Sequence, residues 1–294
     1  MLCIFLFLII NFSVNLILSL ILYLFGLQYQ NIINIFLLSS FFGCLSSIMS
    51  LFLSKWIALN TVQGKIINNT KNPELNWIIL FLKDLSHQMK IKIPEIAIYP
   101  SEDLNAFATG FSKNNSLIAL STGLLNKMKK NEIKAIIAHE MCHITNGDML
   151  TMTLIQSVLN TFILFFSYIF TKILENFFFK KKKNKNILLF SNSIIYIFIS
   201  MILEFTLGML ANIVIMWFSR KREYYADAGA SKIIGKKNMI SALENLKNSI
   251  EPNISHNLRT LYIQGKRNIF LNLFLSHPSI DERILALKKN IYFK

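Results

Sequence analysis

Ala138-His139-Glu140-Met141-Cys142-His143 is the stretch on which the reading of this chain turns. It lies in a segment, residues 131–146, that is expected to be helical. Asn131 supplies an N-cap, Ile133, Ile136, Ile137 and Ile144 form an apolar stripe, and Gly147 fits the C′ stop. Residues four apart share a helix face, so His139 and His143 can offer two imidazoles to one ion. Glu140 is turned by about 100° from His139. It can therefore reach a water at that ion without ligating it, which is the mechanical content of the His-Glu-x-x-His pattern. Cys142 points to another face and reads as core filling.

A catalytic zinc takes three protein ligands and keeps a fourth position open. Glu223, in Arg222-Glu223-Tyr224-Tyr225-Ala226-Asp227, is the best candidate for the third, on a segment (220–234) that reads as helix. Asp227 follows one turn later on the same face. A carboxylate there can take the free imidazole N–H of His139 or His143 and fix its tautomer. On spacing alone the run reads equally well as a surface helix with Arg, Glu and Asp pairs. Two His and a Glu also suit other divalent ions.

Composition places this site beside a membrane. The chain has 294 residues, of which 53% are hydrophobic and 16% charged, whereas soluble domains sit nearer a quarter charged. Residues 1–54 hold no Lys, Arg, Asp or Glu. A span needs about 20 mostly apolar residues, and four segments qualify. Two, at about 2–27 and 32–53, form an N-terminal hairpin that reads as a retained anchor. Two more, at about 151–174 and 187–207, follow the His-Glu motif. The last stays apolar as far as Phe218, too long for one span, and is expected to leave the bilayer near Glu204 and continue as helix. The net charge of +15 is read as contact with anionic headgroups rather than with nucleic acid. Cys3, Cys44 and Cys142 have no spacing that suggests a disulfide framework.

Residues 55–150 and 219–294 are therefore two polar blocks separated by a membrane hairpin, 151–218. In the first, 75–90 reads as helix, and 95–99 and 117–121 as short strands. Asn105-Ala106-Phe107-Ala108-Thr109-Gly110 between them reads as a turn or an irregular edge strand. In the second, 238–249 and 279–289 read as helices, with Pro278 at the first position of the latter. The expected fold is a mainly α integral membrane protein with a small β-sheet and a metalloprotease domain of zincin type split by that hairpin.

These pieces together resemble the HtpX heat-shock metalloproteases of bacterial inner membranes, relatives of the CAAX prenyl proteases. The resemblance is nearly full length. It rests on the anchor hairpin, Asn105–Gly110, Ser121-Thr122-Gly123-Leu124-Leu125, Ala138–His143, Asn146-Gly147-Asp148-Met149, Arg222–Gly229 and Ser276-His277-Pro278, in the family's order. It implies one Zn2+ per chain on His139, His143 and Glu223, with Glu140 as general base and Asp227 behind a ligand. It also implies that Asn105 and His277 stabilise the oxyanion.

The expected activity is endoproteolysis of unfolded or misfolded membrane proteins, with the catalytic blocks facing the cytoplasm, as Lys/Arg density favours. A Lys-rich loop at 180–185 conflicts with that tendency if both later spans cross fully. A CAAX-type protease and a catalytically silent zinc scaffold are the alternatives. Retention of Glu140 argues against the scaffold, because a structural site needs no base.

Overall fold

Gly147 ends the histidine-bearing helix in the left-handed conformation, φ 71°, and its N–H bonds back to the carbonyls of His143 and Ile144. In the computed structural model, which describes residues 29–67, 73–179, 188–250 and 277–293, the element order is as follows. α1 (Tyr29–Val62), β1 (Lys65–Ile66), α2 (Pro73–Met89), β2 (Glu95–Tyr99), β3 (Ala106–Ser112), β4 (Asn115–Ser121), α3 (Thr122–Lys127) and α4 (Lys130–Asn146) come first. α5 (Asp148–Phe179), α6 (Leu188–Ile234), α7 (Lys236–Ile250) and α8 (Ile280–Lys288) complete it. The chain divides into two compact units. One takes the described residues up to Met49 with Thr153–Ile215; the other takes Ser50–Met152 and the described residues from Met216 onward.

The second unit is built on a four-stranded sheet of order β1-β2-β4-β3. β2 and β4 run parallel, with Ile96 opposite Ile118 and Ala97 opposite Ala119. β3 pairs antiparallel with β4 and forms one edge, so the Asn105–Gly110 segment is an edge strand rather than a turn. Gly110 permits the β3–β4 approach: its φ is 139°, and a Cβ there would lie 2.3 Å from the Asn115 carbonyl oxygen. β4 is buried on both faces. Ile118 and Leu120 join the main core with Ile78, Leu82 and Leu85 of α2, Ile133, Ile137, Met141 and Ile144 of α4, and Leu243 of α7. Leu117 and Ala119 meet Ala97 and Tyr99 under Leu59 and Val62 of α1. Each fully buried aliphatic side chain contributes roughly 1.5–3 kcal/mol. The sheet and core therefore hold α4 as a fixed platform.

Two helix starts differ from the sequence reading. α4 starts at Lys130 with Lys129 as its cap, not at Asn131. The reason is Glu132, which accepts the Lys129 backbone N–H at 2.9 Å and is gripped by Ser241 at 2.6 Å and Asn245 at 3.1 Å from α7. α8 is capped by Ser279, whose hydroxyl accepts from the Glu282 N–H while Glu282 accepts from the Ser279 N–H. Pro278 therefore precedes the cap and is not the first helical residue. The two-residue β1 had no readable signal.

In the other unit, α1 and α5 pack through small residues. A Cβ on Gly43 would lie 2.7 Å from Thr161 N and Oγ1, and Asn160 donates to Ser47 at 3.2 Å. Phe36 and Phe165 meet edge to face. Close approach at small residues is how apolar helices associate without a hydrophobic driving force.

Three described helices are long and apolar enough to cross a membrane: Phe36–Val62, Asp148–Leu174 and Ile197–Ile234. The span expected at about 2–27 and the Lys-rich loop lie outside the described residues. The expected fourth segment and the 220–234 helix are one continuous helix, α6, of 47 residues. At 1.5 Å per residue it far exceeds the roughly 30 Å hydrocarbon layer, so part of it stands outside. Exposed apolar side chains continue past Glu204 through Phe205, Leu210 and Val214 to Trp217 and Phe218. Arg220, Lys221, Arg222 and Glu223 then end the apolar stretch.

Candidate metal centre

His139 and His143 sit one turn apart on α4, and their Nε2 atoms approach to 3.1 Å. Glu223, from α6, lies across from both. Its Oε2 is 3.5 Å from His139 Nε2 and its Oε1 is 3.4 Å from His143 Nε2. One ligand atom from each of the three lies within 4.8 Å of the others. His139 and Glu223 are buried and His143 is half-buried. All of these side chains belong to the unit that carries the sheet.

The outward nitrogens are each faced by a carboxylate. His143 Nδ1 is hydrogen-bonded to Asp148 Oδ2 at 2.6 Å. His139 Nδ1 is 2.9 Å from Asp227 Oδ1, but the approach is not aligned as a hydrogen bond. With Nδ1 carrying the proton, both Nε2 lone pairs turn inward toward the Glu223 carboxylate.

Arg283 closes the site from α8. Its Nε and Nη2 donate to the two Asp227 oxygens, and its Nη1 is 3.2 Å from Glu223 Oε2. His277 Nδ1 reaches the same Glu223 oxygen at 3.0 Å, though its ring is largely exposed. Neither contact satisfies Glu223 Oε2 with an aligned hydrogen bond, although that atom is buried.

The electrostatics call for positive charge at the centre. Burial pulls His143 down, but the Asp148 and Glu223 carboxylates outweigh it and lift the imidazole to about 10. His139 is also raised, against burial, by Asp227 and Glu223. Burial pushes Asp227 up, and Arg283 and His139 overcome this to hold it at about 2. Without a metal, protons on the imidazoles meet this demand. A divalent cation meets it better, because it faces two lone pairs and a carboxylate at once. The donor set and the unsatisfied Glu223 oxygen fit such an ion.

The sequence-derived residues are not all placed alike. His139, His143, Glu223 and Asp227 converge. Glu140 is buried on α4 beside His139, and its charge acts on His143 and Arg283. His277 meets Glu223. The Asn105 backbone exchanges hydrogen bonds with Ser121, and its side chain faces the Tyr99 phenol, which burial pushes up. Cys142 is buried and points at Gly229, where a Cβ would lie 2.7 Å from its Sγ. It does not face the trio, and burial raises its thiol to about 12.

Asp148 and Arg283 were given no role from the sequence. Arg283 left one clue: with Ile280, Ile284 and Leu287 at helical spacing, it puts a charge on the stripe that must be buried. Asp148 reads as an ordinary acid opening a helix, and nothing in its spacing points to an imidazole.

Residues 71–291 match peptidase family M48. Across 100% of both chains, the protein is 49% identical to Protease HtpX of Wigglesworthia glossinidia brevipalpis. It is 47% identical to Protease HtpX of Buchnera aphidicola subsp. Schizaphis graminum, over 99% of this chain and 100% of that one. Identity to the Serratia proteamaculans Protease HtpX is 43%, over 98% of both chains. The crystal structure of S. mikatae Ste24p matches with a TM-score of 0.63 at 21% identity, over 94% of this chain and 62% of that longer one; this likeness concerns the fold. The chain belongs to peptidase family M48, as a membrane metallopeptidase of the HtpX type.

Proposed function

We propose that the protein is a zinc-dependent endopeptidase of the bacterial inner membrane that cleaves unfolded or misfolded membrane proteins on the cytoplasmic side. The observation that carries this reading is the convergence of His139, His143 and Glu223 beside a buried Glu140.

Those three residues would hold one Zn2+, which when bound supplies Lewis-acid polarisation of water and of the scissile carbonyl. Glu140 accepts the proton of the attacking water and passes it to the departing amine. Asp227 keeps the His139 imidazole oriented, and Arg283 compensates Asp227 and Glu223. His277 and Asn105 donate to the developing oxyanion, where one such donor is worth roughly 3 kcal/mol. The outer edge of β3 pairs with the substrate backbone as an added strand. Main-chain recognition of that kind demands little of the side chains, which suits a protease that clears damaged proteins.

A CAAX-type activity is the second reading. Its support is the fold likeness to Ste24p, which does not extend to substrate. The test is cleavage of casein and of a misfolded membrane protein by the purified chain in detergent, with and without a zinc chelator, alongside metal analysis. Chelator-insensitive cleavage, or no cleavage by the zinc-loaded chain, refutes the proposal. Cleavage of a prenylated C-terminal peptide alone selects the second reading.

A further inference from the structure

Asp148 is the first residue of α5, yet its carboxylate belongs to the metal centre. α4 stops at Asn146, Gly147 turns the chain through a left-handed φ of 71°, and Asp148 comes back over the last turn of α4. There its Oδ2 lies 2.6 Å from His143 Nδ1. The carboxylate is buried, so this bond faces little competition from water. An acid that merely opened a helix would sit near its own N-terminus and need no imidazole.

The other side of Asp148 is also held. Arg222 of α6 donates from Nη1 to the Asp148 carbonyl at 2.7 Å, and the same nitrogen is 3.8 Å from Asp148 Oδ1. Arg222 directly precedes Glu223. One short path therefore joins the end of α4, the start of α5 and the residue next to the third candidate ligand. The corresponding contact of His139, to Asp227 at 2.9 Å, is not aligned as a hydrogen bond.

We propose that Asp148, braced by Arg222, is a positioning residue that holds His143 as the Nδ1–H tautomer and so keeps Nε2 available to the ion. The proposal rests on the reading of His139, His143 and Glu223 as the metal site. Removing a partner behind a metal-bound histidine typically lowers affinity about 10–100-fold.

The test is zinc affinity by chelator competition on the full-length protein in detergent, for wild type, Asp148→Ala, Asp148→Asn and His143→Ala. The visible spectra of the Co2+-loaded forms are recorded in parallel. Asp148→Ala is expected to lose about 10–100-fold in affinity and to shift the Co2+ bands. Asp148→Asn keeps an acceptor without the charge. It is expected to lose less affinity and to shift the bands in the same direction. If both Asp148 variants bind within about threefold of wild type with unaltered spectra, while His143→Ala loses the metal, the positioning role is wrong and the site stands. If wild type binds no zinc, or His143→Ala binds it as tightly, the metal-site reading itself is wrong and the proposal falls with it.

Discussion

Arg283 and Asp227 form a buried fork, with Nε and Nη2 of the guanidinium 2.7 and 2.6 Å from the two carboxylate oxygens. The pair does two jobs. It balances two buried acids, because Arg283 also lies against Glu223, and it fixes Asp227 beside His139. Arg283→Met should strip both carboxylates of their guanidinium partner and destabilise the metal-free protein by roughly 3–5 kcal/mol. Arg283→Lys keeps the charge but not the fork, and should cost less. Denaturant unfolding measures both. A near-neutral Arg283→Met would show that the fork is not structural.

Glu140→Gln removes the base and spares the ligands. It is expected to retain zinc while proteolysis falls by about 10²–10⁴ or more. Glu223→Ala is expected to lose metal. Elemental analysis beside a casein assay separates the two, and full zinc retention by Glu223→Ala would point to another third ligand.

Glu132 ties α4 to α7 through Ser241 and Asn245. Burial raises its carboxyl, but hydrogen bonds from Ser241, the Lys129 backbone and Asn245 outweigh it, so the folded pKa lies below the ordinary value of 4.5. A depressed carboxylate pKa contributes stability that is present above the unfolded value and is lost as pH falls through the folded one. Acid unfolding from about pH 5 downward should therefore be shallower for Glu132→Gln than for wild type. At neutral pH that variant should be less stable by about 1–3 kcal/mol. Parallel acid-unfolding slopes would rule this out.

Gly229 lets α6 approach α4 at Cys142, since a Cβ would sit 2.7 Å from Sγ. Gly229→Ala should cost roughly 1–3 kcal/mol by overpacking. Adding Cys142→Ala makes room, so the double variant should recover part of the loss. Strict additivity in thermal unfolding would mean the two sites do not meet.

α5 is 32 residues long, about 48 Å at 1.5 Å per residue, enough to cross the hydrocarbon layer. With the catalytic unit facing the cytoplasm, as proposed, a cysteine at position 184, with Cys3, Cys44 and Cys142 replaced, should react with an impermeant thiol reagent added outside spheroplasts. Protection until the membrane is lysed would place the Lys-rich loop inside, in line with the positive-inside tendency.

What the residues determined by themselves was local. The repeat of the α-helix puts His139, Glu140 and His143 in register whatever surrounds them, and Gly147 ends that helix because only glycine takes the left-handed turn cheaply. Alternating and continuous apolar runs likewise announced β2, β4 and the long helices. Tertiary structure decided the rest. Nothing in the spacing of Arg283, 56 residues from Asp227, or of Asp148, at the head of a different helix from His143, encodes their meetings. The core around β4 and α4 brings those elements together, and buried carboxylates must then find a charge or an N–H wherever the packing leaves one.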